Sequence, residues 1–337
     1  MNKIDMHNSI IETTLTLLQT KGLGRKTSKS ILDVLWANRN ETGQLFEMSN
    51  LHTILCNTTS INKSVARFKI PDKFDLEKGN SNARKIISES EKLGLKIIDY
   101  YDDIFPNRLR SLSDAPLILF AMGNEKCLLS NNSVAVVGTR KPSDYGSDVA
   151  RRIGLKLARN QIVVISGLAE GIDAAAHRGC VDGPGQTIAV LAHGLKSIYP
   201  ASNRNLAGNI VEKNGCLISE YPPSEKPTRY SFVDRDRLQS GLSAAVLVVE
   251  TAEKGGTMHT VKFCIDQGRM LWAVANHLDK ANANYVAGFR KLMDEYGAKS
   301  IYWDNEREVE AFIKAIRAED FKNGKEILRQ KSLEDYY

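Results

Sequence analysis

Ser133-Val-Ala-Val-Val-Gly-Thr-Arg140 and, one βα unit later, Gln161-Ile-Val-Val-Ile-Ser-Gly-Leu-Ala-Glu-Gly-Ile-Asp173 decide the fold. Each is a short apolar run that breaks into small residues and then into a helix start. In a parallel sheet such breaks leave unpaired backbone N–H groups outside the strand ends, where phosphates bind. The pair therefore predicts a cradle for anions at the carboxyl edge of a sheet.

Working outward, apolar runs at Val134–Val137, Ile162–Ile165, Ile188–Leu191, Leu217–Ser219, Ala245–Val249, Leu271–Val274 and Ser300–Tyr302 alternate with amphipathic helical patterns. Short buried runs separated by helices are the mark of βαβ crossovers. The expected class is α/β: a doubly wound, mostly parallel, extended Rossmann-like sheet over 124–305, with a small N-terminal all-α module and a C-terminal helical tail. Helical spacing from Ile4 to Leu18, then the glycine turn Gly22-Leu-Gly-Arg-Lys-Thr-Ser-Lys-Ser-Ile-Leu32 opening a second helix, define the module at 1–75. Residues 76–123 read as an extension to the core, with a helix over Ala83–Leu93 and a strand over Lys96–Asp99. Within 306–337, Val309, Phe312, Ile313 and Ile316 predict a packed helix, and Lys322–Lys331 a mobile charged tail.

An apolar content of 42% allows a well-buried core. The net charge of +6 favours polyanionic partners, although solubility alone accounts for an excess of that size. Cys56, Cys127, Cys180, Cys216 and Cys264 are odd in number and widely spaced, without a CxxC pair, so neither a zinc site nor a disulfide framework is expected. Asp5 and Glu12 interrupt the N-terminal apolar pattern, and no apolar run approaches a membrane span. A cytoplasmic protein, neither exported nor inserted, with no metal and no cofactor, is expected.

At the first strand end Gly138 lets the backbone approach a ligand, Thr139 supplies a hydroxyl and Arg140 can grip a phosphate bidentately. A purely structural tight turn would read the same way. At the second, Ser166, Gly167 and Gly171 are again small, while Asp173 either braces the loop or touches a ligand. His177 falls one turn after Asp173 on the same helix face, where their pairing would fix loop geometry. Two further basic clusters follow later strands, Tyr199-Pro-Ala-Ser-Asn-Arg-Asn205, and Arg229 with Arg235-Asp-Arg237. Arginines at four strand ends suit a long anionic track better than a single nucleotide pocket. The alternative for Arg235 and Arg237 is that they neutralise Asp234 and Asp236.

Together these residues resemble the bacterial DNA-processing protein A (DprA, or Smf) family over roughly Phe105 to Val274. The resemblance is carried by FPNRLRSLSDAPLILFAMGN, VAVVGTRKPSDYG, VVISGLAEGIDAAAHRG, TIAVLAHGLKSIYPASNRNLA, LISEYPP, GLSAAVLVVE and GGTMHT, in the family's order. It implies an extended Rossmann-like domain that binds single-stranded DNA, forms homodimers and helps load a RecA-type recombinase during natural transformation. By position it implies a phosphate pocket at Gly138, Thr139, Arg140, Ser166, Gly167 and Gly171, with nucleic-acid contacts from Arg204, Arg235, Arg237 and the Gly255-Gly256-Thr257 turn. It also likens the N-terminal GLGRKTSKSIL to a helix-hairpin-helix, making Gly22, Gly24, Arg25 and Lys26 candidate DNA contacts. Two departures stand out. The family's Phe-Pro-x-Arg-Asn-Arg is Phe232-Val-Asp-Arg-Asp-Arg237 here, which places two acids in an expected DNA-facing loop. Its Ala-Val-Pro-Gly is Ala273-Val-Ala-Asn276, with a helix around Tyr285–Tyr296 expanding the next turn, and no winged-helix pattern follows.

The rival reading is a nucleotide hydrolase, or a nucleotide sensor in phage defence, on a related fold. Phosphoribohydrolases of that kind carry a catalytic Glu three residues after the threonine of their glycine-rich turn. Here Thr260 stands at that place. Glu250, at a strand end, is the available substitute, and a carboxylate there can equally orient a loop. The expectation is a DNA-binding protein without catalytic residues, in which Tyr145, Tyr199 or Phe232 stack bases.

Overall fold

The computed structural model describes residues 3–37, 51–53, 70–275 and 283–319. Cys56, Asn276, the charged tail over Lys322–Lys331 and part of the expected N-terminal module lie outside them.

The described strands form one sheet of nine in the order β1-β2-β6-β5-β4-β3-β7-β8-β9. They are β1 Lys96–Asp99, β2 Ile118–Gly123, β3 Ser133–Val137, β4 Val163–Ser166, β5 Thr187–Leu191, β6 Cys216–Ser219, β7 Ala245–Val248, β8 Met270–Val274 and β9 Lys299–Ile301. From β6 to β9 all neighbours are parallel, while β1 and β2 add antiparallel to that edge. This is the α/β, doubly wound, mostly parallel arrangement expected, and all seven anticipated strands after Ser133 are present. The region read as an extension supplies β1 and β2 to the same sheet, which the sequence did not signal for Ile118–Gly123.

Strand residues alternate between two covered faces. Ala135, Val137, Val246 and Val248 point to one, against helices Arg229–Leu242, Thr257–Asp266 and Ala283–Asp294. Val134, Val136, Ala245 and Leu247 point to the other, against helices Asp144–Arg159 and Ile172–Val181 and the helix 306–319. In that last helix Val309, Phe312, Ile313 and Ile316 are buried, as their spacing predicts, with Phe312 edge-on to Trp272. Toward β1 the second face is closed by helices Lys3–Gln19, Lys73–Lys92 and Arg204–Glu212.

The helix expected over Ala83–Leu93 begins ten residues earlier, because Asp72 caps it by accepting from the Asp75 N–H at 2.8 Å. Its Gly79 sits where the helix crosses Lys3–Gln19, and a Cβ there would lie 2.3 Å from Thr20 Oγ1. Glu12 bridges Asn80 and Arg84 across the same crossing, and the His7 ring spans Asp99 and Asp102 with its two nitrogens. The second N-terminal helix, Arg25–Ala37, stacks Trp36 on Tyr101 with ring centroids 4.5 Å apart. The helical module is thus packed on the sheet edge by apolar and polar contacts alike. The described cysteines Cys127, Cys180, Cys216 and Cys264 are buried and unbridged. No described helix is long and apolar enough to cross a membrane.

The segment Val233–Asp236, read from sequence as a loop, is the second turn of helix Arg229–Leu242. A capping box starts it: Thr228 Oγ1 accepts from the Ser231 N–H while Ser231 Oγ accepts from the Thr228 N–H.

Candidate nucleic-acid interface

From β3 the chain steps through β4, β5 and β6 in one direction, and helix Arg229–Leu242 then carries it back to β7 on the other side of β3. The loops after β3 and β7 therefore diverge, which opens a crevice at the carboxyl ends of the strands. Two hydrogen-bonded anchors shape it. The Thr139 N–H donates to the Glu250 carbonyl at 2.7 Å, and the Ser143 N–H and hydroxyl donate to the two carboxylate oxygens of Glu250 at 2.9 and 2.6 Å. Ser143 Oγ in turn accepts from the Gly146 N–H, capping helix Asp144–Arg159. Gly146 is required by this packing, since a Cβ would sit 2.3 Å from the Glu250 carboxylate. Glu250 accepts from the loop with both oxygens, the orienting role available to it.

The loop after β4 is built from within. Ser166 Oγ donates into the sheet at Val136 O, and the Gly167 N–H donates to Asp173 Oδ2 at 3.0 Å. Asn203 holds the Leu168 carbonyl, and the Ile172 N–H reaches the Thr139 carbonyl at 3.2 Å. Gly171, at φ 81°, makes that approach possible, because a Cβ would lie 2.4 Å from Thr139 O. Burial pushes the Asp173 carboxyl up to about 6, against the attraction of Arg235. His177 does not pair with it: its Nδ1 lies 2.7 Å from Thr187 Oγ1, and burial holds the ring neutral, its pKa lowered to about 3. Asp173 is a brace.

The two arginines of helix Arg229–Leu242 pair with Asp236 and Asp234, the alternative left open by the sequence. Arg235, 5% exposed, donates through Nη1 to the carbonyls of Gly167 and Val190 and through Nε to Asp236. It ties β4 and β5 ends together behind the cleft. Arg237, 1% exposed, is enclosed by Glu220, Asp234 and Asp114 and does not reach the cleft. Burial raises the Glu220 carboxyl, and Arg237 and Arg25 oppose it. Arg25 enters this cluster from the N-terminal helix, 3.3 Å from Glu220 and 3.5 Å from Asp234, with a hydrogen bond to the Asp114 carbonyl. Asp234 thus faces the helical module and not a ligand, and Arg25 is consumed by the fold, whereas Gly22, Gly24 and Lys26 remain exposed.

What opens to solvent is a cleft of about 680 Å³. Gly138, Thr139, Arg140, Arg235, Gly255, Gly256 and Thr257 line it, as do Arg229, Phe232 and Asp236. Ser166, Gly167, Gly171, Arg204 and Arg237 do not. Ser166, Gly167 and Gly171 are spent on the packing just described, and Arg204 is exposed at the head of its own helix. Lys141, His259 and Tyr285 also line the cleft, and sequence reasoning did not single them out. Tyr285, whose hydroxyl donates to the Lys141 carbonyl, comes from the helix that expands the turn after β8, and only the fold shows that it closes this wall.

The charge and the rings are arranged in a row. The Arg140 guanidinium lies 5.2 Å from the centroid of Phe232, whose ring is in turn 5.8 Å from Tyr199 at 54°. Arg140 and Arg229 are exposed, and neither has a hydrogen bond or ion pair among the described residues. Tyr145 is elsewhere, packed toward helix 306–319 with its hydroxyl on Asp304.

The sequence profile of DNA recombination-mediator protein A matches residues 96–313. The chain belongs to the DNA-processing protein A family. It is 35% identical over 230 residues to the DNA processing protein DprA of Bacillus subtilis, covering 68% of this chain and 76% of that one. Smf of Escherichia coli is 39% identical over 172 residues, 51% of this chain and 46% of that protein, so the match spans under half of that relative. Among solved structures, DprA of Streptococcus pneumoniae superposes with a TM-score of 0.68 at 27% identity, over 86% of this chain and 94% of that one. DprA of Helicobacter pylori, a single-stranded-DNA-binding protein, gives 0.58 at 26%, over 66% of this chain and 96% of that one. Both DprA structures share the extended Rossmann-like sheet on which this cleft is built.

Proposed function

We propose that this DprA-family chain binds single-stranded DNA in the cleft between the β3 and β7 loops. The observation that carries the reading is the Arg140–Phe232 pair in an open strand-end cleft, with Tyr199 next to Phe232 beyond the cleft lining. Exposed arginines beside the half-buried Phe232 ring and the exposed Tyr199 ring suit a strand whose phosphates are gripped and whose bases stack, and both interactions tolerate any sequence. Arg140 and Arg229 serve as phosphate grips, with the N–H groups of Gly256 and Thr257 at the head of helix Thr257–Asp266; the Gly255 N–H is given to the Ala252 carbonyl. Arg140 is held over Phe232 by a cation–π contact worth about 0.5–1 kcal/mol at an exposed site, so a phosphate can draw it away and free the ring face for a base. The binding of single-stranded DNA by the Helicobacter pylori relative supports the same ligand here. Gly22, Gly24 and Lys26 offer a second, sequence-independent phosphate contact on the helical module.

The finer part of the proposal is that the bound strand is protected and passed to a RecA-type recombinase by a homodimer. The family's designation as a recombination mediator supports it. The test is a titration of labelled single-stranded and duplex oligonucleotides at two salt concentrations, with free nucleotides as competitors. Tighter binding of the single strand, weakening steeply with salt, is expected. Displacement by a micromolar mononucleotide would instead favour a nucleotide hydrolase or sensor. Strand exchange with a recombinase, with and without the protein, tests the loading step.

A further inference from the structure

We propose that Asp236 reads the edge of a base in this cleft and gives the chain a preference for guanine. The inference rests on the single-stranded-DNA reading above and adds a base specificity to it.

Arg229, Phe232 and Asp236 follow one another at three- and four-residue spacing on helix Arg229–Leu242, and all three line the cleft. Residues so spaced share one helix face. That face presents a cation, a ring and a carboxylate in succession, over about two helical turns. A nucleotide has the same three parts in the same succession: phosphate, stacking face and polar edge. A base lying on Phe232, with its phosphate toward Arg140 or Arg229, directs its edge one helical turn along, to Asp236.

The carboxylate is set up to accept. Oδ1 takes the Arg235 Nε–H at 3.1 Å, which fixes the side chain, and Arg235 is itself locked on the Gly167 and Val190 carbonyls. Among the described residues nothing donates to Oδ2. The side chain retains 14% exposure, so its remaining lone pairs are open to the cleft and not sealed in the core. Such a group repels a phosphate, which confines the sugar-phosphate chain to the arginine side.

A carboxylate has acceptors only, and the bases differ in what they offer it. Guanine presents two adjacent donors, N1–H and the N2 amino group, to a pair of carboxylate oxygens. Cytosine and adenine present one amino group beside an acceptor. Thymine presents a single N3–H between two carbonyls that the carboxylate repels. A well-made bidentate contact discriminates between bases by roughly tenfold or more.

The experiment compares the full chain's affinity for an all-thymine 20-mer with that for a 20-mer in which every third base is guanine, too sparse to fold on itself. A third oligomer carries inosine in place of guanine, which keeps the purine ring and N1–H and loses the amino group. The expected result is about tenfold tighter binding of the guanine oligomer, most of it lost with inosine, and near-equal binding of all three by Asp236→Asn. The amide can still accept from Arg235, so this variant keeps the Arg235 brace. Equal binding of the three oligomers by the wild-type chain would overturn the inference and leave the DNA reading intact. A preference that survives the inosine swap or Asp236→Asn would assign it to purine stacking on Phe232 and also overturn it. Failure to bind any of the three would remove the DNA reading, and this one with it.

Discussion

The Arg140 guanidinium sits 5.2 Å from the centre of the Phe232 ring, at the mouth of the cleft and outside the packed core. Its substitution should therefore change binding without changing the fold. Arg140→Ala is expected to weaken single-stranded-DNA affinity about tenfold, the worth of one charge-assisted phosphate contact. It should also flatten the dependence of log affinity on log salt by about 0.7, one phosphate on a single strand. Anisotropy titrations across a salt series measure both, and a thermal melt should show no shift beyond a degree or two.

Arg237 predicts the opposite pairing of effects. It is enclosed by Glu220, Asp234 and Asp114, so Arg237→Ala strands the buried Glu220 carboxylate with Arg25 as its remaining cation. Breaking a buried ion pair by removing one partner costs about 3–5 kcal/mol, and urea unfolding should show a loss of that order. Arg25→Ala removes a half-exposed partner and should cost about 1 kcal/mol or less. Its larger effect should be on how firmly the N-terminal helices hold the core, read as faster proteolysis between them.

Buried groups around the cleft set the acid limb of stability. His177 has its folded pKa lowered from 6.5 to about 3, so it contributes stability that is complete above pH 6.5 and is lost as pH falls toward 3. Asp173 has its folded pKa raised from 3.8 to about 6, so its contribution is complete below pH 3.8 and is lost as pH rises through 6. The two slopes oppose each other between about pH 4 and 6, and the larger shift belongs to His177. The wild-type melting temperature should accordingly stay nearly level between about pH 6 and 4 and fall on further acidification below about pH 4. His177→Asn, whose amide can replace the Nδ1 contact to Thr187, should flatten or reverse that fall. Melts at half-unit pH steps measure it.

Much of this molecule is legible in its sequence because parallel strands buried on both faces are written as continuous apolar runs. Val134–Val137 or Ala245–Val248 need no partner to be read. The strand Ile118–Gly123 is not legible in the same way, because its antiparallel partner, Cys216–Ser219, lies nearly a hundred residues away and no local turn announces the pairing. Helix Arg229–Leu242 was hidden for another reason. Its buried face carries Arg235, Arg237, Gln239 and Ser240, so apolar periodicity is absent where the helix is most enclosed. An arginine reads as surface, and only the carbonyls of Gly167 and Val190, delivered by two other strand ends, make Arg235 an interior residue. Arg140 was legible as a ligand residue because a loop after a strand exposes it by default.

Gly146 offers the sharpest test of how the cleft is held open. It lies in the first turn of helix Asp144–Arg159, where alanine would ordinarily favour the helix by about 1 kcal/mol. Here a Cβ would stand 2.3 Å from the Glu250 carboxylate, which cannot retreat without releasing the Ser143 N–H and hydroxyl. The loop carrying Thr139, Arg140 and Lys141 would then lose the anchor at its far end, keeping the Thr139 link to the Glu250 carbonyl and the bonds from Ile172 and Tyr285 to the Thr139 and Lys141 carbonyls. Gly146→Ala should therefore lower DNA affinity several-fold although residue 146 does not line the cleft. Glu250→Gln should spare most of the affinity, since an amide can accept from the Ser143 N–H and donate to its hydroxyl. If Gly146→Ala bound DNA as tightly as the wild type, the loop's shape would not depend on Glu250, and the anchoring role assigned to that carboxylate would fall.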